Sequence, residues 1–281
     1  MGVWQCELPS EQLKWSHGTY DLFGIQRNAP LKRSEIVGSY DEESLTRLHA
    51  VRAAAIASGT GFTLDAAIRT PDAKVRWIRI SATVERSKGE PIRIFGIKQD
   101  ITEEMLCRDR FEYLASHDAM TGLANRVQFE AQLENVCTRG DSESVLMLVD
   151  LDDFKRVNDT FGHLVGDDCL VEAARRLTAT CHSAHLIARI GGDEFALLFA
   201  SSSNRHAVER TAWHLVDVMN SPIVCRGHII TLGASVGLAS ATHQETSAIF
   251  GRADRALYAA KAAGGRSACW YHDMYPGREA Y

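Results

Sequence analysis

Arg189-Ile190-Gly191-Gly192-Asp193-Glu194-Phe195 is the stretch from which the fold can be read. Apolar runs at 186–190 and 195–200 flank the Gly-Gly-Asp-Glu turn, the pattern of a β-hairpin. Upstream, Val145-Leu146-Met147-Leu148-Val149 is unbroken apolar sequence, as expected of a strand covered on both faces, and it closes on Asp150. Two strands ending in acids at one sheet edge can bring carboxylate oxygens to one point. Hard oxygens suit Mg²⁺, which binds through one or two carboxylates plus substrate phosphates. Gly191 and Gly192 leave room for a bulky ligand and permit positive φ. Spacing alone keeps a plainer reading open, in which acids at strand ends merely face water.

Outward from the hairpin, helices and strands alternate. Residues 126–138 put Phe129, Leu133 and Val136 on one helical face, and Leu170, Ala174, Leu177 and Cys181 form the next stripe. A helix is expected near 208–219, a strand over 229–239 and a helix over 249–263. This is an α/β domain with a central sheet, assigned to residues 118–281. Residues 1–102 read as a β-rich module instead. Two short strands turn at Pro9-Ser10, and Leu45, Leu48 and Ala55-Ile56 mark a helix. Strands follow at 62–69, 75–84 and 92–99, the last two joined at Ser87-Lys88-Gly89. Residues 103–117 form a connecting helix, with Thr102 as its N-cap and Glu103-Glu104 at the positive end of its dipole. Its apolar positions, Met105, Leu106, Phe111 and Leu114, fit either a dimer stalk or a helix docked on its own domain. The chain is therefore mixed α/β (α+β) with two domains.

Composition narrows the function. The 281 residues are 45% hydrophobic and 24% charged, with a net charge of −5, so nothing points to a basic nucleic-acid surface. An anionic substrate must be held by a few placed groups. The seven cysteines are scattered and never spaced C-x-x-C, which argues for small buried hydrophobes in a reducing cytoplasm rather than disulfides or zinc. No secretory leader is expected from the N-terminal residues, and no apolar run nears the ~18 residues of a transmembrane segment.

Trp15-Ser16 followed by Tyr20-Asp21-Leu22-Phe23-Gly24, then Val75-Arg76-Trp77-Ile78, and Gly96-Ile97-Lys98-Gln99-Asp100-Ile101-Thr102 together resemble a PAS sensor domain. Its ligand stays unknown: Cys6, His17 and His49 stand in no context that identifies heme or flavin and read as structural.

The C-terminal strings carry a second resemblance. They are His117-Asp118-Ala119-Met120-Thr121-Gly122-Leu123-Ala124-Asn125-Arg126; Asp150-Leu151-Asp152-Asp153-Phe154-Lys155-Arg156-Val157-Asn158-Asp159; Gly162-His163; Gly166-Asp167; Arg189 to Phe195; and Ala253-Asp254-Arg255-Ala256-Leu257-Tyr258-Ala259-Ala260-Lys261. In this order they resemble the GGDEF family of diguanylate cyclases. The resemblance implies a nucleotidyl-cyclase-like domain that condenses two GTP into cyclic di-GMP with release of two pyrophosphates. It implies Mg²⁺, with Mn²⁺ as a substitute, and a homodimer in which each domain supplies one half-site. No phosphodiesterase domain is recognisable. Residue by residue, it makes Asp150, the Leu151 carbonyl and Asp193 the metal ligands, and Asp193 or Glu194 the group that assists deprotonation of the attacking hydroxyl. Asn158 and Asp167 match the guanine-reading pair. Backbone amides near Asp153 and Phe154, together with Lys155, match the triphosphate cradle. Lys261 matches a phosphate-binding lysine, and Gly191 and Gly192 line the substrate. Asp152, Asp153 and Asp159 read more readily as structural or solvated than as direct ligands. Phe195 reads as core, His163 as a local hydrogen-bonding group and His117 as a cap or interface residue.

Two departures stand out. The basic residue expected four positions after Lys261 is Gly265, with Arg266 one step later and its role open. The product-binding R-x-x-D clamp before the hairpin is replaced by His182-Ser183-Ala184-His185, which implies no tight product inhibition there. The alternative reading is a catalytically silent GGDEF domain that binds GTP or cyclic di-GMP and signals by contact.

Overall fold

The computed structural model describes residues 1–139, 144–200, 204–241 and 246–271; the last ten residues of the expected C-terminal domain lie outside them. The chain divides into two compact units, Met1–Phe111 and Glu112–Tyr281.

The first unit contains β1 (Gly2–Glu7), β2 (Leu13–Trp15), α1 (His17–Phe23), α2 (Arg33–Val37), α3 (Glu42–Ser58), β3 (Phe62–Arg69), β4 (Val75–Ser87) and β5 (Glu90–Asp100). Its antiparallel sheet runs in the order β2-β1-β5-β4-β3. Period-two patterning decides its covered face: Ile78, Ile80, Ala82 and Val84 of β4 are buried, as is Ile94 of β5. Phe23, Ile36, Tyr40 and Leu48 from the helical segment pack against them. The β4–β5 turn places Lys88 and Gly89 at φ 51° and 89°, the left-handed pair that a tight hairpin with right-handed twist needs. Asp41 caps α3 by accepting from the Ser44 amide at 2.7 Å, and Gly59 ends it at φ 73°.

The exit helix, α4 (Thr102–Ser116), begins differently from expectation. The Asp100 carboxylate accepts from the Thr102 amide at 2.9 Å and from its hydroxyl at 2.6 Å. Thr102 Oγ1 meanwhile accepts from the Trp77 amide at 3.0 Å. Its oxygen is drawn to the otherwise unpaired end of β4, so Asp100 takes over the capping. Met105 is buried, while Leu106 and Phe111 are exposed. Expected as a separate linker, this helix is one continuous element spanning the division between the units.

The second unit contains α5 (Arg126–Arg139), β6 (Ser144–Asp152), α6 (Phe154–Phe161), α7 (His163–Thr180), β7 (Leu186–Arg189), β8 (Glu194–Phe199), α8 (Arg205–Met219), β9 (Ile223–Cys225), β10 (His228–Ile230), β11 (Gly233–Ala241), α9 (Thr246–Ala262) and β12 (Ala268–Trp270). The main sheet runs β12-β11-β6-β8-β7, so β6 is central. Val145, Met147, Val149 and Leu151 enter one core cluster with α7 and α8. Leu146 and Leu148 enter another with α5 and α9. Burial on both faces explains the unbroken apolar run. Residues 229–239 are not one strand, as expected, but two. Arg226 and Gly227, at φ 47° and 82°, fold β9 and β10 into a separate hairpin, and β11 starts afresh at Gly233. In β11, a Cβ on Gly237 would lie 2.3 Å from the Ala253 carbonyl and the Leu257 amide, so glycine there lets α9 lie close on the sheet. Among the described residues, no helix is long and apolar enough to cross a membrane.

Candidate active site

The site grows from the end of the central strand. In the β6–β8 register Asp150 lies opposite Glu194, and directly opposed residues on neighbouring strands share a face. The Leu151 amide donates to the Asp193 carbonyl at 3.2 Å, which fixes the hairpin turn beside the end of β6. The three acids therefore gather at one end of the sheet. The Asp150 side chain is only 9% exposed, and Lys261 of α9 reaches its Oδ2 at 2.6 Å. Burial pushes the Asp150 carboxyl above the usual carboxylate range; Lys261 pulls it back, and the charges of Asp193 and Glu194 push it further up. Lys261 pairs with Asp150, and the gathering of Asp150, Asp193 and Glu194 concentrates negative charge on hard oxygens, which fits a divalent cation such as Mg²⁺. Among the described residues, no three or more His, Cys, Asp or Glu side chains converge closely enough to hold an ion unaided.

The paired glycines act differently from expectation. Neither Gly191 nor Gly192 has a positive φ. A Cβ on Gly191 would lie 2.5 Å from Glu194 Oε2, whereas one on Gly192 would meet nothing within 4 Å. Gly191 makes room for the Glu194 carboxylate, and Gly192 leaves open space over the turn. The Ile190 and Gly191 amides close the turn on the Glu194 carbonyl at 2.9 and 3.3 Å. Arg189 locks it from outside, donating to the Gly192 carbonyl at 2.7 Å and to Asp118 Oδ1 at 3.2 Å. Reading the sequence alone gave Arg189 no role, although it heads the quoted string. Phe195 is core, as expected.

Beyond β6 the chain turns through Asp153, whose φ of 58° is left-handed. It leads directly into α6, where the Arg156 and Val157 amides donate to the Asp153 carbonyl at 2.9 and 3.3 Å, while those of Phe154 and Lys155 have no carbonyl four residues back within the helix. That is a cradle for anionic oxygens. The Phe154 ring is buried beneath it with Val157, and Lys155 is exposed. Gly162, at φ 84°, separates α6 from α7. A Cβ on Gly166 would fall 1.9 Å from Asn158 Oδ1, so Asn158 packs onto the residue just before Asp167. Both are half-buried. Asp152 is structural: it accepts from the Ser235 hydroxyl at 2.7 Å and the Arg266 amide at 2.8 Å. This ties the Gly265-Arg266 turn to the end of β6. His117 stacks on Tyr113 with ring centroids 4.2 Å apart, a local packing role. His163 is exposed.

Between α5 and α9 lies a cavity of about 690 Å³ lined by Phe129, Leu133, Phe250 and Asp254, among others. Of the three acids only Glu194 lines it.

Comparison with known proteins agrees with this arrangement. The family model described as "Diguanylate cyclase, GGDEF domain" matches residues 115–267, and the "PAS fold" model matches residues 12–98. The chain is 36% identical over 172 residues to the probable diguanylate cyclase DgcE of Escherichia coli, covering 59% of this chain and 16% of that protein. It is 35% identical over 173 residues to the cyclic di-GMP phosphodiesterase PdeR of the same organism, covering 60% of this chain and 26% of that one. The chain thus spans well under half the length of these curated relatives. The crystal structure of the coiled coil and GGDEF domain of DgcB from Caulobacter crescentus, in complex with c-di-GMP, superposes with a TM-score of 0.54 at 28% identity. It covers 60% of this chain and 93% of that one. The chain belongs to the GGDEF family of diguanylate cyclase domains, here preceded by a PAS-fold unit.

Proposed function

We propose that the chain is a catalytically active diguanylate cyclase, which joins two GTP molecules into cyclic di-GMP under control of its PAS-fold unit. The observation that carries this reading is the meeting of Asp150 and Glu194 in register, with Asp193 at the adjoining turn and Lys261 on Asp150. Domains that have turned to binding alone have no need to keep such a concentration of charge.

Asp150, Asp193 and the Leu151 carbonyl would hold Mg²⁺, which when bound neutralises charge on the phosphates. The amides at the start of α6 and Lys155 receive the triphosphate. Lys261, half-exposed on α9, exchanges part of its contact with Asp150 for a phosphate oxygen. Asn158 and Asp167 read guanine, because a carboxylate accepts from its ring N–H and exocyclic amine, a pairing adenine does not offer. Glu194 or Asp193 takes the proton from the 3′-hydroxyl. That oxygen then bonds to the α-phosphorus of the second GTP as the bond to pyrophosphate breaks. Each domain holds one GTP, so two copies related by a twofold axis are needed, and positioning supplies much of the rate. A GTP substrate places the reaction in the cytoplasm.

Incubation of the protein with GTP or ATP and Mg²⁺, followed by chromatography, tests the reading. Cyclic di-GMP from GTP alone is expected. Asp193→Ala and Glu194→Ala should each lower the rate at least ~10³-fold, while circular dichroism stays that of the parent. GTP binding without any product would reduce the chain to a binding module, and near-parental turnover in both variants would overturn the site.

A further inference from the structure

The PAS-fold unit holds a lysine where its own pattern calls for an apolar residue. In β5 the inward positions run Ile94, Gly96, Lys98, and Lys98 is only 5% exposed. Its ammonium sits among four rings, with Nζ 4.5 Å from the Phe23 centroid, 5.2 Å from Trp4, 5.4 Å from Trp15 and 5.7 Å from Tyr40. One of its three protons goes to the Tyr40 hydroxyl at 3.0 Å. Among the described residues no carboxylate pairs with it. Isolated charges are not left in protein interiors without compensation, because the desolvation cost is several kcal/mol. Ring faces return only part of that cost.

The surroundings carry the same imbalance. Lys98 lines a cavity of about 50 Å³ together with Trp4, Trp15, Tyr40, Arg33 and Arg52. The indole Nε1 of Trp4 and that of Trp15 are both buried with no hydrogen-bond partner among the described residues; Trp4 is 8% exposed. The two arginines are already engaged, since Glu11 lies 3.2 Å from Arg33 and 3.8 Å from Arg52. What remains around the cavity is a surplus of positive charge, since one Glu11 carboxylate serves both arginines and none among the described residues serves Lys98, together with a surplus of donors, with the Tyr40 oxygen as the acceptor already in use. The missing complement is a small molecule with one negative charge and several acceptor lone pairs. A carboxylate has that chemistry. The volume admits about four heavy atoms, the size of acetate, and is tight for phosphate, which is larger and carries more charge.

We propose that this cavity is a ligand site of the PAS-fold unit and that it takes a small monocarboxylate, held by the Lys98 ammonium and the Trp4 and Trp15 indole N–H groups. The geometry stands independently of the cyclase reading, since every residue involved lies in the first unit. Burial alone draws the Lys98 pKa down to about 7; an anion beside it restores the charged form.

The test uses the full chain labelled with ¹⁵N at its tryptophans, titrated with sodium acetate against sodium chloride at constant ionic strength. Signals are assigned from Trp4→Phe and Trp15→Phe. Saturable shifts of both indole resonances are expected, with Lys98→Met at least about tenfold weaker and neutral acetamide without saturable effect. Shifts that never saturate, equal affinity in Lys98→Met, or equal binding of acetamide would each overturn the proposal and leave a cavity filled by water. If Lys98→Met loses its dispersed indole signals, Trp4→Phe decides instead. It keeps the ring and removes one donor, so affinity should fall about threefold to tenfold, and an unchanged affinity would refute the site.

Discussion

Each unit of this protein buries a charge in the central strand of its sheet, Lys98 within β5 and Asp150 near the end of β6, and the two charges are treated differently. Asp150 ends the central strand of the second unit and meets Lys261 at 2.6 Å, beside two further acids. Lys98 sits in β5 of the first unit among aromatic rings, with a phenol oxygen as its one hydrogen-bond partner. In the first case the compensating cation comes from the same domain and leaves a net negative site that suits a cation and phosphates. In the second, no carboxylate among the described residues supplies a counter-charge, and the imbalance points outward to a ligand. A buried charge is costly wherever it lies, so what surrounds it indicates what the site is built to receive.

That contrast can be broken at either end. The largest effect is expected from Asp150→Asn, which keeps the shape and removes the charge. Cyclic di-GMP synthesis should fall by at least ~10³-fold, a loss of about 4 kcal/mol of transition-state stabilisation. Folding stability should change by no more than about 1 kcal/mol, because the released Lys261 is 43% exposed and returns to water. Turnover measured alongside a urea melt separates the two. A large stability loss with retained turnover would make Asp150 a structural acid.

Next in size is the pH dependence carried by Lys98. Unfolded, it keeps its proton to near the ordinary lysine value of 10.5, whereas folded it releases it at about 7. Between those values the unfolded chain binds more protons, so this group makes stability rise with pH, by up to about 1.4 kcal/mol per pH unit. Below about pH 7 it destabilises by its full amount. Lys98→Met should remove that slope and be at least as stable as the parent at pH 7. Urea melts of both proteins from pH 6 to 10 check this, and parallel curves would show that Lys98 is not held in an apolar cage.

A smaller change is expected for Lys261→Met. It leaves the buried Asp150 without its cation and should destabilise by about 1 kcal/mol, a figure already discounted for the exposure of the lysine. Turnover should fall in the same variant as the phosphate contact is lost. Smallest of all is His182→Ala combined with His185→Ala, which should alter inhibition by added cyclic di-GMP less than about twofold. Strong inhibition abolished by the pair would mean that the histidines replace the missing charged clamp.

Much of the second unit was legible because its signals are local. An unbroken apolar run of five residues is what a strand covered on both faces needs, and β6 is that strand. The acids at its end and at the Gly-Gly turn were identified before any coordinates. The strand expected over 229–239 was misjudged because only Thr231 and Ser235 interrupt its apolar residues and glycines, while the Arg226-Gly227 turn folds 228–230 back onto β9 and leaves β11 to start at Gly233. Thr102 is a good cap by residue type, yet its hydroxyl was claimed by the Trp77 amide, a partner 25 positions earlier in the chain. The glycines of the hairpin were read as leaving room for a ligand and permitting positive φ; neither takes positive φ, and the room at Gly191 is filled by the Glu194 carboxylate, a matter of what stands next to it.

The sequence by itself determined the two-domain organisation, the family and the chemical types at the active site, because period, turn residues and motif order are written along the chain. Only the tertiary structure decided which charges meet. The pairing of Lys261 with Asp150 joins α9 to β6, and the isolation of Lys98 depends on rings from β1, β2, α1 and the segment before α3 closing around it. Coulomb energy and desolvation depend on distance in space and on surrounding solvent, and neither quantity exists until the chain has folded.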